Sequence, residues 1–374
     1  MPPELVNSSL KNKLLQRSRA KQQVRDLLHN NGYIEADPSA LRSSCCVDPF
    51  IQIFSTSEDD TTPNAKAYFL QSSPEIALKH LLCENPGPIY YLGPAWRQGE
   101  EGKQHRKEFT MLEWYRADSD QRPFCSLPHL VQALNDDWSD RPLAELAVET
   151  LTICHKIIGQ PSLDIAQTPA YSLPKLLYHL SSIDIYTWAQ EQIYQQIKAV
   201  LGMSAHDSLA NHLSSDPLQK AEQMSCALSL YIDSVIEPWL SLKHPNSFAL
   251  LCDFIGFYPR RADCALAQND QLTNGVSIVK RFELYHGNIE LANGYRELSC
   301  GIEMQHRQQE AYQIKGINSQ KGDAMIDWQL IKKFKNESFP ASCGVAVGFD
   351  RLLMQQLKQY KNGPVEINEV RVDY

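Results

Sequence analysis

The sequence predicts an α+β fold, and three observations lead there. Strand-like runs and helix-like segments alternate along most of the chain. Two of the strand-like runs, in "VKRFELYHGNIELANG", flank His286, Gly287 and Asn288, a hairpin signal that pairs its strands antiparallel. No internal repeat or low-complexity tract points to a solenoid, and hairpins disfavour a doubly wound parallel sheet.

Taken in order, residues 9 to 32 carry Leu14, Val24, Leu27 and Leu28 at helical intervals and stop at "NNG", which predicts an amphipathic helix and a turn into "YIEADP". "KAYFL" predicts a strand, and "SSPEIALKHLLC" a helix capped by Ser73 with Pro74 at its first position. "PIYYLGPAWRQ" reads as a second strand. Residues 108 to 115 read as a third, with Phe109, Met111, Glu113 and Tyr115 on one face and Glu108, Thr110, Leu112 and Trp114 on the other. In the middle, about 119 to 245, "LPHLVQALNDDW" and "EQIYQQIKAVLG" look helical while Pro161, Pro169, Pro174 and Pro217 break the rest, and no chemistry attaches to it. Beyond it come a strand in "SFALLCDF", the hairpin, and a polar helix from about 296 to 315. "ASCGVAVGFDRLLMQQL" is a small-residue strand running into a helix.

The 374 residues are 43% hydrophobic, enough for a large core. No window approaches the roughly 18 continuous apolar residues of a membrane helix, and no apolar segment with a small-residue cleavage site opens the chain. The expectation is a soluble, cytoplasmic protein. Ten cysteines, among them the adjacent Cys45 and Cys46, form no CxxC pair, which fits thiols in a reducing compartment better than zinc or disulfides. A net charge of −8 and an isoelectric point near 5.8 argue against a protein whose main task is gripping a nucleic-acid backbone.

Three stretches carry candidate chemistry. Glu113 between Met111 and Tyr115 is a poor core residue, because burying an unpaired carboxylate is costly; an exposed sheet face is the competing reading of that strand alone. Glu283 and Glu290 face each other across the hairpin, with Glu297 further along, an oxygen-only set that suits Mg²⁺ carrying a nucleotide's phosphates. A solvated hairpin reads equally well in isolation. In "CGVAVGFDRLLM", Gly344, Ala346 and Gly348 offer a nearly bare strand face, and Arg351 falls in the first turn of the next helix, where phosphate is favoured. Close strand-on-helix packing is the alternative.

Together these stretches resemble motifs 2 and 3 of the class II aminoacyl-tRNA synthetases. "SPEIALK", "EFTMLEWY" and "ELANGYREL" resemble the lysyl branch. "FTMLEWYR", "IELANGYREL" and "GVAVGFDRL" are most similar to the short lysyl-synthetase paralogue that lysylates elongation factor P. The likeness covers about 66 to 118 and 248 to 357 well and the middle hardly at all. It implies an antiparallel six-stranded sheet flanked by helices, in a homodimer. It also implies one class II catalytic domain over 1–374 with a mostly helical insertion at about 119–245. About thirty residues precede "NGYIEADP", which resembles motif 1, too few for the OB-type anticodon-binding domain of lysyl synthetases, so stable tRNA binding is not expected.

The activity the resemblance implies is ATP- and Mg²⁺-dependent activation of a lysine-type amino acid as its adenylate, then transfer to a lysine ε-amine of elongation factor P. Carried beside it are two alternatives: a catalytically impaired paralogue that binds lysine and ATP, and a truncated synthetase acylating tRNA. By position, Arg97 would hold the α-phosphate and carboxylate, Arg351 the γ-phosphate, and Phe109 would stack on adenine, with Gln98 and Gly99 beside the nucleotide. His105 and Arg106 would lie near the triphosphate, Glu283 and Glu290 would carry Mg²⁺, and Leu291 and Gly348 would line the nucleotide. Ser73, Pro74 and Glu75 would flank the amine near the reacting carboxylate. Glu113, Tyr115, Asn293, Tyr295 and Glu297 would form the pocket for the ammonium-bearing side chain. Ala346, where true lysyl synthetases usually have glycine, implies a preference for (R)-β-lysine over α-lysine.

Three positions depart from the family pattern. The motif 1-like segment is one residue short, and Arg106 replaces an asparagine. Motif 2 normally reads Arg-x-Glu, and here it reads Arg97-Gln98-Gly99. Along a strand Glu100 points the opposite way from position 99, so it would need a bulge to substitute.

Overall fold

The computed structural model describes residues 10–45, 48, 51–57, 66–119, 140–159, 167–202, 209–258, 267–317, 325–336, 339–361 and 365–371. Helix α1 (Leu10–Asn30) buries Gln16, Ala20, Val24 and Leu28, a stripe at four-residue spacing. Leu14, expected on that stripe, is half exposed. Short strands β1 (Ile34–Glu35), β2 (Leu41–Arg42), β3 (Ser55–Ser57) and β4 (Ala67–Leu70) lead to α2 (Glu75–Leu82). That helix starts one residue later than expected, and the Ser73 hydroxyl accepts the Glu75 N–H at 3.0 Å.

Strands β5 (Ile89–Trp96) and β6 (Glu108–Ala117) precede α3 (Arg141–Ile158), which Asp140 caps by accepting from the Leu143 N–H and Gly159 ends at φ 74°. Next come β7 (Ala170–Ser172), α4 (Leu173–Ser181), α5 (Gln190–Leu201) and α6 (Pro217–Tyr231). A π-helical stretch, Ile232–Ile236, joins α6 to α7 (Glu237–Lys243). The rest is β8 (Phe248–Phe257), β9 (Asn269–Gln271), β10 (Val276–His286), β11 (Ile289–Arg296), α8 (Gly301–Ile314), α9 (Trp328–Lys335), β12 (Ser342–Gly348), α10 (Phe349–Lys358) and a 3₁₀ turn, Ile367–Glu369.

The main sheet has nine strands in the order β1-β5-β6-β12-β11-β10-β8-β7, with β9 paired to β10. From β5 to β8 the pairing is antiparallel throughout, the arrangement the resemblance implies. Two parallel edge strands, β1 and β7, extend it. Strands β2, β4 and β3 form a separate small sheet.

Alternation sends Leu92, Leu112, Trp114, Val345 and Val347 to one face, which α1, α3 and α10 cover in a single apolar cluster. The other face carries two clusters. Tyr91 and Tyr115 pack with α2, α8 and α9; Leu251, Val279 and Tyr285 pack with α4, α5 and α6. Tyr295 touches both, and the functional cavity lies between them, walled by β6, β11 and β12.

The helix expected from about 296 begins at Gly301, because β11 runs to Arg296 and Glu297 bridges to Ala267. The segment "LPHLVQALNDDW" and Cys46, Cys125 and Cys264 lie outside the described residues, and the described cysteines are free thiols. No described helix is long and apolar enough to cross a membrane.

Candidate active site

Sheet register builds the floor of a cavity of about 270 Å³. Glu113 on β6, Ala346 on β12 and Asn293 on β11 are direct cross-strand partners and form one row. Tyr115, Gly344 and Tyr295 form the next. Gly344 makes the second row possible: a Cβ there would lie 2.3 Å from Tyr115 Cε1 and 2.5 Å from Glu297 Oε1.

One end of the cavity is acidic. Buried Glu113 accepts from the Ser73 hydroxyl at 2.7 Å and the Tyr115 hydroxyl at 2.8 Å. Glu75 accepts from the Tyr295 hydroxyl at 2.7 Å and from Lys79 Nζ at 2.6 Å. Lys79, one turn along α2 and wholly buried, also reaches Glu297 Oε2 at 2.5 Å. Two carboxylates, Glu75 and Glu297, therefore share one internal ammonium, with Glu113 nearby and held by Ser73 and Tyr115. Burial, helped by the nearby Glu75, pushes Glu113 up to about 7. Burial outruns the pull of Lys79 and lifts Glu297 to about 8. Lys79 itself loses to burial but gains more from Glu297 and Glu75, and it stays charged.

The other end is cationic. The Arg97 guanidinium lies 5.1 Å from the Phe109 ring centroid. Arg351, in the first turn of α10, donates to the Glu290 carbonyl at 3.0 Å, lies 3.5 Å from its carboxylate, and touches His105. Burial first, and Arg351 second, hold the His105 imidazole below its ordinary value, so it stays neutral beside these cations. Arg281, on β10 opposite Tyr295, donates to Asn293 Oδ1 at 3.0 Å and to Glu283, and lines the cavity between the two ends. A Cβ on Gly348 would meet only the Arg351 side chain, at 3.4 Å, so the strand end stays open.

Residues 103 to 107, with Lys103, His105, Arg106 and Lys107, form a basic loop. The Ile367 N–H donates to the Lys103 carbonyl at 2.9 Å, and Arg106 bonds Asn368, so a strap from the C-terminal segment holds the loop. His105 and Arg106 face the cavity, whereas Lys107 pairs with Glu101 at 3.0 Å.

The hairpin differs from expectation. Glu283 is opposite Asn293, and Tyr285 is opposite Glu290, because the register slips between Leu284 and Tyr285. Leu291 is the extra residue of a bulge, and Leu291 and Ala292 both join the helix-covered core. The slip keeps Glu290 on the cavity face together with Asn293 and Tyr295. Glu283 sits behind the wall, its oxygens taken by Arg281 and by the Tyr285 hydroxyl at 2.7 Å, and burial lifts it to about 7 against the pull of Arg281. As a cation ligand Glu290 therefore fits as it stands, and Glu283 only after releasing Arg281 and Tyr285. No cluster of three or more metal-ligating side chains occurs among the described residues.

Of the residues expected at the site, Gln98, Gly99 and Pro74 also fall outside the cavity wall; the remaining candidates line it. Sequence reasoning missed Lys79 and Arg281. Lys79 follows Glu75 by four residues within a quoted motif, so its shared helix face was readable. The bulge Glu100 was thought to need is absent as well. β5 ends at Trp96, and residues 97 to 100 form a turn.

Comparison with known proteins identifies the family. A model of the class II tRNA synthetases (D, K and N) matches residues 3–362. Among similar curated proteins is an "Elongation factor P--(R)-beta-lysine ligase" of Hamiltonella defensa, 28% identical over 360 residues, covering 94% of this chain and 95% of that protein. Proteins of the same name from Photobacterium profundum and Photorhabdus laumondii are each 28% identical over 92% of this chain, covering 91% and 90% of their own lengths. A match running through nearly all of the chain, on a sheet of this topology, settles the family: the chain belongs to the class II tRNA synthetases (D, K and N).

Proposed function

We propose that the chain is an ATP-dependent ligase that activates a lysine-type amino acid, (R)-β-lysine, and transfers it to a lysine ε-amine of elongation factor P. The observation that carries this reading is the polarity of the cavity: Glu75 and Glu297 sharing Lys79, with Glu113 beside them, at one end, and Arg97 and Arg351 at the other. With all four groups ionised, Glu75, Glu113, Glu297 and Lys79 leave two negative charges, which the two ammonium groups of a lysine match. The acceptor is carried from the names of the relatives. Ala346, between Glu113 and Asn293, supports the β-isomer, since one methyl group in a tight pocket discriminates by about 1 kcal/mol or more.

In this mechanism the amino-acid carboxylate attacks the α-phosphate of ATP, a new O–P bond forms, and pyrophosphate leaves. The carboxylate is ionised at neutral pH, so the protein aligns reactants and stabilises spreading negative charge rather than supplying a base. Arg97 meets the α-phosphate, Arg351 and His105 the far end of the triphosphate, and Phe109 the adenine. Glu290, joined by Glu283 once Arg281 and Tyr285 release it, would hold Mg²⁺, which when bound neutralises phosphate charge. The acceptor amine, once deprotonated, attacks the adenylate carbonyl, forming an amide and releasing AMP. A homodimer accompanies this reading.

The test is to incubate the protein with ATP, Mg²⁺, each lysine isomer and elongation factor P, and to weigh the factor intact. A gain of one lysine-type residue, greatest with (R)-β-lysine, is expected. Pyrophosphate exchange without that gain, and with acid-labile label on RNA, would move the reading to tRNA acylation.

The titration of the acidic end yields a second expectation. Glu113 and Glu297 ordinarily lose their protons near 4.5, but in the folded chain keep them to about 7 and about 8. Between those values the folded chain binds protons that the unfolded chain has released, so these groups withdraw stability as pH rises. A ligand ammonium favours their ionised forms and reverses this. The rise in melting temperature with a saturating lysine isomer is expected to be larger at about pH 8.5 than at about pH 6. Equal rises would show that the ammonium does not meet these carboxylates.

A further inference from the structure

The turn after β5 delivers a carboxylate to a place where strand alternation would not. The Arg97 N–H donates to the Lys107 carbonyl at 2.8 Å, and the Glu100 N–H returns to the Arg97 carbonyl at 3.3 Å. That closure from i to i+3 is a turn, so two-residue alternation no longer decides which way Glu100 points. Its Oε1 accepts from Arg97 Nη1 at 3.0 Å, and both side chains line the cavity. Position 99 is directed elsewhere: a Cβ there would meet the Gln52 side chain, at 3.4 Å.

We propose that Glu100 is a positioning residue for amino-acid activation, its carboxylate holding the Arg97 guanidinium at the cavity wall across the Gln98–Gly99 turn. This rests on the activation chemistry proposed above. Arg97 has two other restraints, a 3.3 Å bond from Nε to the Ser72 carbonyl and the Phe109 ring. The Nη2 edge has no partner among the described residues and is the edge left for phosphate. A guanidinium fixed by a fork before the substrate arrives loses little freedom when charge develops against it. Both side chains are part-exposed, 24% and 31%, so the pair contributes little to stability and its effect falls on placement.

The test measures pyrophosphate exchange, ATP affinity by calorimetry and melting temperature for the parent chain, Glu100→Gln, Glu100→Asp and the double variant Gly99→Glu with Glu100→Ala. Glu100→Gln is expected to lower kcat about 10- to 100-fold, with the KM for the amino acid and the melting temperature unchanged. Glu100→Asp should restore part of the rate. The double variant should not, because position 99 faces Gln52. Parent-like kcat and ATP affinity in Glu100→Gln overturn the proposal, as does full rescue by the double variant. If the parent exchanges with no lysine isomer, the functional reading fails by itself; weakened ATP binding in Glu100→Gln then still supports the placement of Arg97, and unchanged binding overturns it.

Discussion

Replacing Lys79 by methionine is expected to cost about 3–5 kcal/mol of folding stability at about pH 9, above the titration of Glu297, because it leaves Glu75 and Glu297 buried without their cation. Methionine fills the volume of the lysine stem, so the loss reports charge rather than a cavity. Chemical denaturation gives the free energy. The double variant with Glu297→Gln should recover more than half of the loss, since it removes one of the two stranded charges. A Lys79→Met chain as stable as the parent would mean that Glu75 and Glu297 are already protonated and that the internal ion pair is not formed. The same substitution should also abolish amino-acid binding, as the pocket's charge balance is set by that ammonium.

The second large effect is expected at Glu113. Glu113→Gln keeps the shape of the side chain and a hydrogen-bond partner for Ser73 and Tyr115, but removes a carboxylate facing the cavity. Losing one partner of a buried charge pair costs about 2–5 kcal/mol, so the KM for the amino acid should rise about 100-fold or more at pH 8 while the KM for ATP stays put. Below about 7 the parent carboxyl takes up its own proton, and the gap between variant and parent should narrow. A rise smaller than about threefold at pH 8 would move ammonium recognition away from Glu113.

The readable part of this protein was where backbone period alone decides. On β6 the alternation puts Glu113 and Tyr115 on one face and Leu112 and Trp114 on the other, and the folded sheet keeps that division. The tight turn after His286 and the strand-to-helix passage through Gly348 were legible for the same reason. What stayed hidden depends on partners distant in sequence. The bulge at Leu291 is a matter of pairing register, and nothing local in "GNIELAN" marks the residue that is skipped. Glu100 was read through strand geometry because the end of β5 at Trp96 is set by contacts with Gln52 and Lys107. Lys79 was in view beside Glu75, but its second carboxylate, Glu297, comes from the far end of the chain. The parallel edge strands β1 and β7, two and three residues long, carry too few positions for any periodicity.

The strap that joins residues 366 to 368 to the basic loop has a practical side. Arg371 also donates to the Glu108 carbonyl at 2.6 Å, so the last described turn grips both the loop and the strand that carries Glu113. A purification tag fused behind this turn would sit beside those contacts, so loss of activity in such a fusion has two sources to tell apart, the anchor and the active centre. Placing the affinity handle ahead of α1 keeps the anchor unloaded and makes the two cases separable on the bench.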